Sequence, residues 1–226
     1  MVACVLLEHD LTIPAGIRGL EDFRRWARSP AFPEQGRIDF IQGRIEIDLA
    51  PRGLFTHSAP KTEIGCMLAN RVKRLGSGHV FIGGSRFSSP AADLSAEPDV
   101  MFVSHESIGT AQIRLVPDGS GRPRQYNELE GPPDLVAEVV SATSVIKDTK
   151  RLFRAYFDAG VSEYWIADAR GDGLMFAIYR RGRNGFVKAP TDRDGFQRSR
   201  VMGSRFRFDR ERGPNGVWIY DLVEAD

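Results

Sequence analysis

The chain has 226 residues with 42% hydrophobic content, enough to bury a full core, and is read most simply as one domain, 1–226, with elaborations. Lys and Arg number 31 against 30 Asp and Glu, a net charge of +1 that excludes a bulk polycation, so any nucleic-acid surface has to be local. Cys4 and Cys66 lie far apart in no metal-ligand spacing, no apolar run approaches a membrane span, and the opening MVACVLLEHD is charged too soon for a secretion signal; the expectation is a soluble cytoplasmic protein with free thiols.

Residues 11–35 predict a short amphipathic helix with Leu20, Phe23, Trp26 and Ala27 inward, stopped by Ser29-Pro30, and residues 1–35 read as an outer decoration. RIDFIQGRIEID, 37–48, holds two alternating segments around Gln42-Gly43, a hairpin signal. On its second strand Arg44, Glu46 and Asp48 share one face and Ile45, Ile47 and Leu49 the other, which on its own is equally a solvated sheet face. A helix follows from about Pro60 to Leu75 with Ile64, Met67, Leu68, Val72 and Leu75 inward. His57 and Lys61 stand at or before its first turn, where a histidine is more commonly a cap or a surface residue. Val80–Ile82 reads as a strand and 83–92 as a loop of small residues. The strand EPDVMFV, 97–103, then carries a carboxylate, Asp99, at its entrance. Signals are weak over 104–130, where PDGSGRP marks a turn.

The stretch 131–168 organises the rest. Asp134–Ser141 predicts a buried strand, about Val145–Ala159 a helix with Leu152, Phe153, Tyr156 and Phe157 on its apolar side, and Glu163–Asp168 a second strand; so short a span implies a parallel crossover and an α/β core, 36–170. Thr143 or Ser144 suits the helix start and Gly160 the position past its end. After Asp168 alternation such as Phe206-Arg207-Phe208 predicts an antiparallel β extension, 171–226.

One charged side chain interrupts the buried strand: Glu138, on the same face as Asp134, Val136 and Val140. A buried carboxylate demands a cation, either an arginine in a buried bridge or a metal ion. If the strands of Asp99 and Glu138 are neighbours, their carboxylates converge, and Mg²⁺ or Mn²⁺ between them suits hard oxygen ligands and phosphodiester hydrolysis. The alternatives find less support: there is no G-x-S-x-G elbow, no phosphate loop with a following Lys-Ser or Lys-Thr, no dinucleotide fingerprint, and the histidines, His9, His57, His79 and His105, form no helix-spaced pair.

EPDVMFV at 97–103, PDLVAEVVS at 133–141 and KDTKRLFRAYFDAGVSEYWIAD at 147–168, with GRIEIDLAP at 43–51 and THSAPKTEI at 56–64, resemble the Uma family of restriction endonuclease-like proteins in the PD-(D/E)XK nuclease superfamily. The resemblance implies a restriction endonuclease-like mixed β-sheet flanked by helices, a divalent metal, and DNA as substrate. It makes Asp99 the first metal-binding acid and Glu138 the second. Val140 stands where the superfamily's usual strand lysine would be, and Leu152 where members often bring a lysine from the helix. Lys147 and Lys150 remain to stabilise charge on the phosphate, with Lys147 favoured by the run SVIKDT. Arg44 replaces a glutamate of many members, leaving Glu46, or else Asp48, to supply a third acid.

The leading expectation is a metal-dependent endonuclease with a phosphate-contacting arginine face drawn from Arg180, Arg181, Arg183, Arg193, Arg198, Arg200, Arg205 and Arg207. The runner-up is a catalytically quiet binding or assembly module on the nuclease fold, and a third reading is hydrolysis of some other phosphoester. A homodimer paired along an exposed strand edge is expected.

Overall fold

The protein is described here by a computed structural model covering residues 12–33 and 36–226; Cys4 and His9 lie outside the described residues. The chain begins with α1 (Leu20–Ala27), the hairpin β1 (Arg37–Ile41) and β2 (Arg44–Asp48), a π-helical turn at Leu54–Ser58, and α2 (Ala59–Leu75). It continues through β3 (Gly78–Ile82), β4 (Arg86–Ser89), β5 (Leu94–Ala96), β6 (Val100–Ser104), α3 (His105–Gly109), β7 (Arg114–Pro117) and β8 (Tyr126–Glu130). Next come β9 (Leu135–Val139), a second π-helical turn at Lys147–Arg151, α4 (Leu152–Ala159) and β10 (Glu163–Asp168). The tail supplies β11 (Met175–Arg181), β12 (Phe186–Lys188), β13 (Gln197–Arg198), β14 (Arg205–Arg212) and β15 (Trp218–Ala225).

The strands form two six-stranded sheets, ordered β2-β1-β5-β4-β8-β7 and β12-β11-β10-β9-β6-β3, and a three-stranded antiparallel sheet, β13-β14-β15. The expected crossover is present: β9 and β10 pair in parallel through α4. Its helix differs from a plain α-helix, since Lys147–Arg151 winds as a π-turn before α4 begins. The fold is the expected mixed α/β one with helices on the sheets and an antiparallel C-terminal extension, but its sheet is divided in two. The reason lies at 83–104. The stretch 83–92, read above as a loop, holds β4, which joins β5 and β8 in the first sheet. β5 and β6 are separate strands in different sheets, because Pro98 has no N–H to continue a ladder.

Side-chain alternation then sorts the core. Met101, Val136, Val140 and Tyr156 pack with Phe87 and Leu94 between the two large sheets. Leu135, Ala137, Val139 and Trp165 point the other way, toward Ile64 and Leu68 of α2 and Phe206 and Leu222 of the C-terminal sheet. Leu20, Phe23 and Trp26 of α1 cover the outer face of β1 at Ile38 and Phe40, while Arg24 reaches Glu128 on β8 at 2.6 Å.

Candidate functional site

The junction between the sheets builds the site. β6 and β9 run antiparallel with Val100 opposite Ala137 and Met101 opposite Val136, so the same register sets Asp99 against Glu138. Both carboxylates are buried, on the face shared with Met101 and Val136. Backbone ties lock them together: the Asp99 N–H donates to Glu138 Oε2 at 3.3 Å and the Val139 N–H to Asp99 Oδ2 at 2.9 Å. Glu138 also accepts from Arg37, Nη1 to Oε2 at 2.9 Å and Nη2 to Oε1 at 2.7 Å, and from the Tyr156 hydroxyl at 2.7 Å. A bidentate guanidinium of this kind is among the strongest partners a buried carboxylate has. On the outer side, His57 Nε2 lies 3.3 Å from Asp99 Oδ2, and Lys61 Nζ lies 3.6 Å from Oδ1. Burial opposes the charge on Asp99, but the His57 contact and the nearby Arg37 and Lys61 outweigh it, holding the carboxyl well below the usual carboxylate range.

A third buried acid was not singled out in the sequence. Asp39 on β1 accepts from Lys147 Nζ at 2.6 Å, from Arg37 Nε at 3.0 Å and from the Glu97 N–H at 2.9 Å. Burial raises its pKa, and Arg37 and Lys147 more than reverse that, down to about 2. Arg37 thus bridges Asp39 and Glu138, and these two charges keep it protonated against its own burial. The signal was readable: Asp39 is an acid among Ile38, Phe40 and Ile41, the same anomaly as Glu138 within LVAEVV. Asp148, one residue past Lys147, is buried too. Its Oδ2 accepts from the Ser144 hydroxyl, and its Oδ1 has no partner among the described residues. Burial, reinforced by the charge of Glu138, pushes this carboxyl up to about 8.

A cleft of about 430 Å³ opens over Asp99, lined also by Arg37, Arg52, His57, Lys61 and Gly83. Of the residues expected from the sequence, Asp99 lines this cleft and Glu138 lies behind Arg37. Lys147 is turned inward onto Asp39, and Lys150 is exposed elsewhere on the π-turn. Glu46 accepts from Arg151 Nη2 at 2.8 Å. Neither these two lysines nor Glu46 borders the cleft. Asp48 does, but its carboxylate is held by the Ala50 N–H at 3.1 Å and Arg52 at 3.0 Å. In the tail, Arg205 pairs with Asp192 at 2.9 Å and Arg207 with Asp209 at 2.8 Å, while Arg181 lies over the Phe157 ring at 4.2 Å.

Among the described residues no three His, Cys, Asp or Glu side chains gather into a cage. Magnesium does not require one, since it commonly takes one or two carboxylates and completes its shell with water and phosphate oxygens. Among the described residues Asp99 Oδ1 has only the 3.6 Å Lys61 contact, and Asp99 lines the cleft, so this oxygen has capacity for an ion. Glu138 Oε2 accepts from the Arg37 guanidinium at 2.9 Å and from the Asp99 N–H at 3.3 Å, so a resident cation already faces it. Asp99 thus offers an oxygen to a divalent ion, and Glu138 would join it only with Arg37 moved off its carboxylate.

Mixed sheets flanked by helices, with a C-terminal antiparallel sheet, make a nuclease-like fold, and paired acids stand at its strand junction beside a cleft of mixed charge. A family profile described as "Uma2: Putative restriction endonuclease" matches residues 20–202, and the chain belongs to that family. Among solved structures it is similar to one from Anabaena variabilis ATCC 29413 described as a "putative nuclease belonging to DUF820". The TM-score is 0.58 at 17% identity, covering 82% of this chain and 90% of that one, a likeness of fold. No curated protein matches the sequence. No helix among the described residues is long and apolar enough to cross a membrane.

Proposed function

We propose that this protein is a divalent-metal-dependent endonuclease that hydrolyses phosphodiester bonds of DNA. The observation that carries the proposal is Asp99, at the edge of a cleft lined by Arg37, Arg52, His57 and Lys61 together with Asp48 and Glu97, set against the buried Glu138 across β6 and β9. Asp99 and Glu138 would hold Mg²⁺ or Mn²⁺, which when bound polarises a phosphate oxygen and lowers the pKa of water. The chain's own residues do the rest. Tyr156 and the Asp99 N–H orient Glu138, while the Val139 N–H and His57 orient Asp99. Lys147 neutralises Asp39 behind them. In the reaction, a water oxygen bonds to phosphorus and releases a proton to solvent, the bridging P–O bond breaks, and the leaving sugar oxygen takes a proton from solvent, giving a phosphomonoester and an alcohol.

Calorimetric titration with Mn²⁺ tests the site: heat of binding in the wild type that disappears in Glu138→Gln and Asp99→Asn supports it. Incubation of plasmid, single-stranded DNA and RNA with Mn²⁺ tests the substrate, and cleavage of DNA lost in the same variants is the expected result. One observation favours a second reading, a nuclease-fold binding module: the Arg37 guanidinium already occupies both oxygens of Glu138. Absence of binding at millimolar Mn²⁺ would establish that reading instead. A dimer pairing two clefts along an exposed sheet edge remains part of the proposal, and a monomer mass by light scattering at high concentration would remove it.

A further inference from the structure

We infer that Lys61 is the phosphate-contacting residue of the cleft, a role that rests on the nuclease reading for its catalytic part and stands apart from it for binding. The cations around the cleft differ in how far their charge is already engaged. Arg37 is shared between Glu138 and Asp39 at 2.7 to 3.0 Å. Arg52 is bound to Asp48 at 3.0 Å and to the Ser141 hydroxyl at 2.7 Å. His57 is buried with its Nε2 on Asp99 at 3.3 Å. Lys61 is different, for among the described residues its ammonium has one ionic contact, Asp99 Oδ1 at 3.6 Å, which is beyond hydrogen-bond length, and its side chain stays partly exposed to the cleft.

The backbone opposite leaves room for it. Gly83 follows β3 with φ +63°, and a Cβ built there would lie 2.8 Å from Lys61 Nζ. The Gly83 N–H is bound to the Asp99 carbonyl at 2.9 Å, so this approach is fixed by the same segment that carries the acid. A strongly hydrated ammonium beside a carboxylate in an open cleft is a point-charge partner for a phosphoryl oxygen. Negative charge that builds on that oxygen during attack by water is met by an ammonium already in position.

The test uses the full-length chain and a fluorescent DNA duplex, first in EDTA, where binding is read by anisotropy over a salt series, and then in Mn²⁺, where cleavage is read. Lys61→Met is expected to reduce the slope of log affinity against log salt by about 0.9, the value for one phosphate contact. It is also expected to slow cleavage by about 10²–10³-fold, the usual cost of one donor to the transition state. Lys61→Arg should retain the slope. Lys73→Met, on the exposed side of the same helix, should leave both readouts unchanged, and thermal melts identify any variant that fails to fold. A wild-type slope retained in Lys61→Met overturns the inference and leaves the nuclease reading intact. A slope that falls in Lys61→Met without Mn²⁺-dependent cleavage by the wild type sustains the phosphate contact and overturns the nuclease. Wild-type protein that binds no duplex overturns the inference outright.

Discussion

Asp148 is a carboxyl that the fold keeps protonated well above its ordinary range, because burial and the charge of Glu138 both oppose its ionisation. The folded protein holds this proton up to about pH 8, whereas the unfolded chain releases it near the ordinary 3.8. Between those values the folded state binds more protons, so this residue's contribution to stability falls as pH rises through the window. Asp148→Asn is expected to remove that slope, and urea midpoints measured from pH 5 to 9 check it; an unchanged slope would mean an ionised Asp148. Asp39 works in the opposite sense. Its folded value near 2 lies below the ordinary one, so its contribution is complete above about pH 4 and is lost as pH falls toward 2. Arg37 gives a third prediction at this scale. Arg37→Gln leaves Glu138 and Asp39 short of a counter-ion, so its metal-free melting temperature should drop, and Mn²⁺ should recover more of that loss than it adds to the wild type. Melts with and without Mn²⁺ decide this.

At the scale of elements, the Asp39–Lys147 pair fastens β1 to the π-turn that precedes α4. Both groups are buried, so removing one partner leaves an uncompensated charge. Lys147→Met is expected to cost toward the lower end of about 3–5 kcal/mol, because Asp39 keeps Arg37 and the Glu97 N–H. In a double-mutant cycle with Asp39→Asn, denaturation should reveal a coupling of about 0.5–3 kcal/mol. The π-turn has a consequence of its own: it places Lys147 and Asp148 inward together while Lys150 faces solvent. A plain α-helix, at about 100° per residue, would set Lys147 away from the apolar stripe of Leu152 and Tyr156, whereas the wider π-turn and the pairing with Asp39 hold it in the interior.

Across the whole molecule, the C-terminal sheet is seated by polar groups as well as by Phe206 and Leu222. The Gln197 side chain accepts from the Ile178 N–H and donates to the Phe176 carbonyl, both at 3.0 Å, supplying partners to β11. Glu163 on β10 accepts from Trp165 Nε1 at 2.7 Å, from the Ser199 hydroxyl and from the Arg200 N–H at 2.9 Å. Gln197→Leu leaves buried backbone groups unpaired and is expected to cost about 1–3 kcal/mol, measured as a lowered denaturant midpoint. The tail reads from this as a cover over Trp165 and the outer face of the second sheet, and several of its arginines meet acids or rings within the tail itself.

Local periodicity was sufficient for the strand, crossover and strand of Leu135–Asp168, for the hairpin at Gln42-Gly43, for α2 and for the amphipathic α1, because each buries a face that repeats every two or 3.6 residues. It also exposed Glu138 as an acid in a buried strand and Asp99 at a strand entrance. It did not show β4, whose Arg-Phe-Ser-Ser run carries little pattern and whose partner β8 lies far along the chain. Nor did it show that Pro98 divides two sheets. The partners of the charges were beyond it as well: Arg37 across Glu138, Asp39 under Lys147, and Lys61 beside Asp99 each join segments that only folding brings together. Which cation balances which carboxylate in a low-dielectric interior depends on every charge within a few ångströms, and those distances exist only once the sheets have closed on one another.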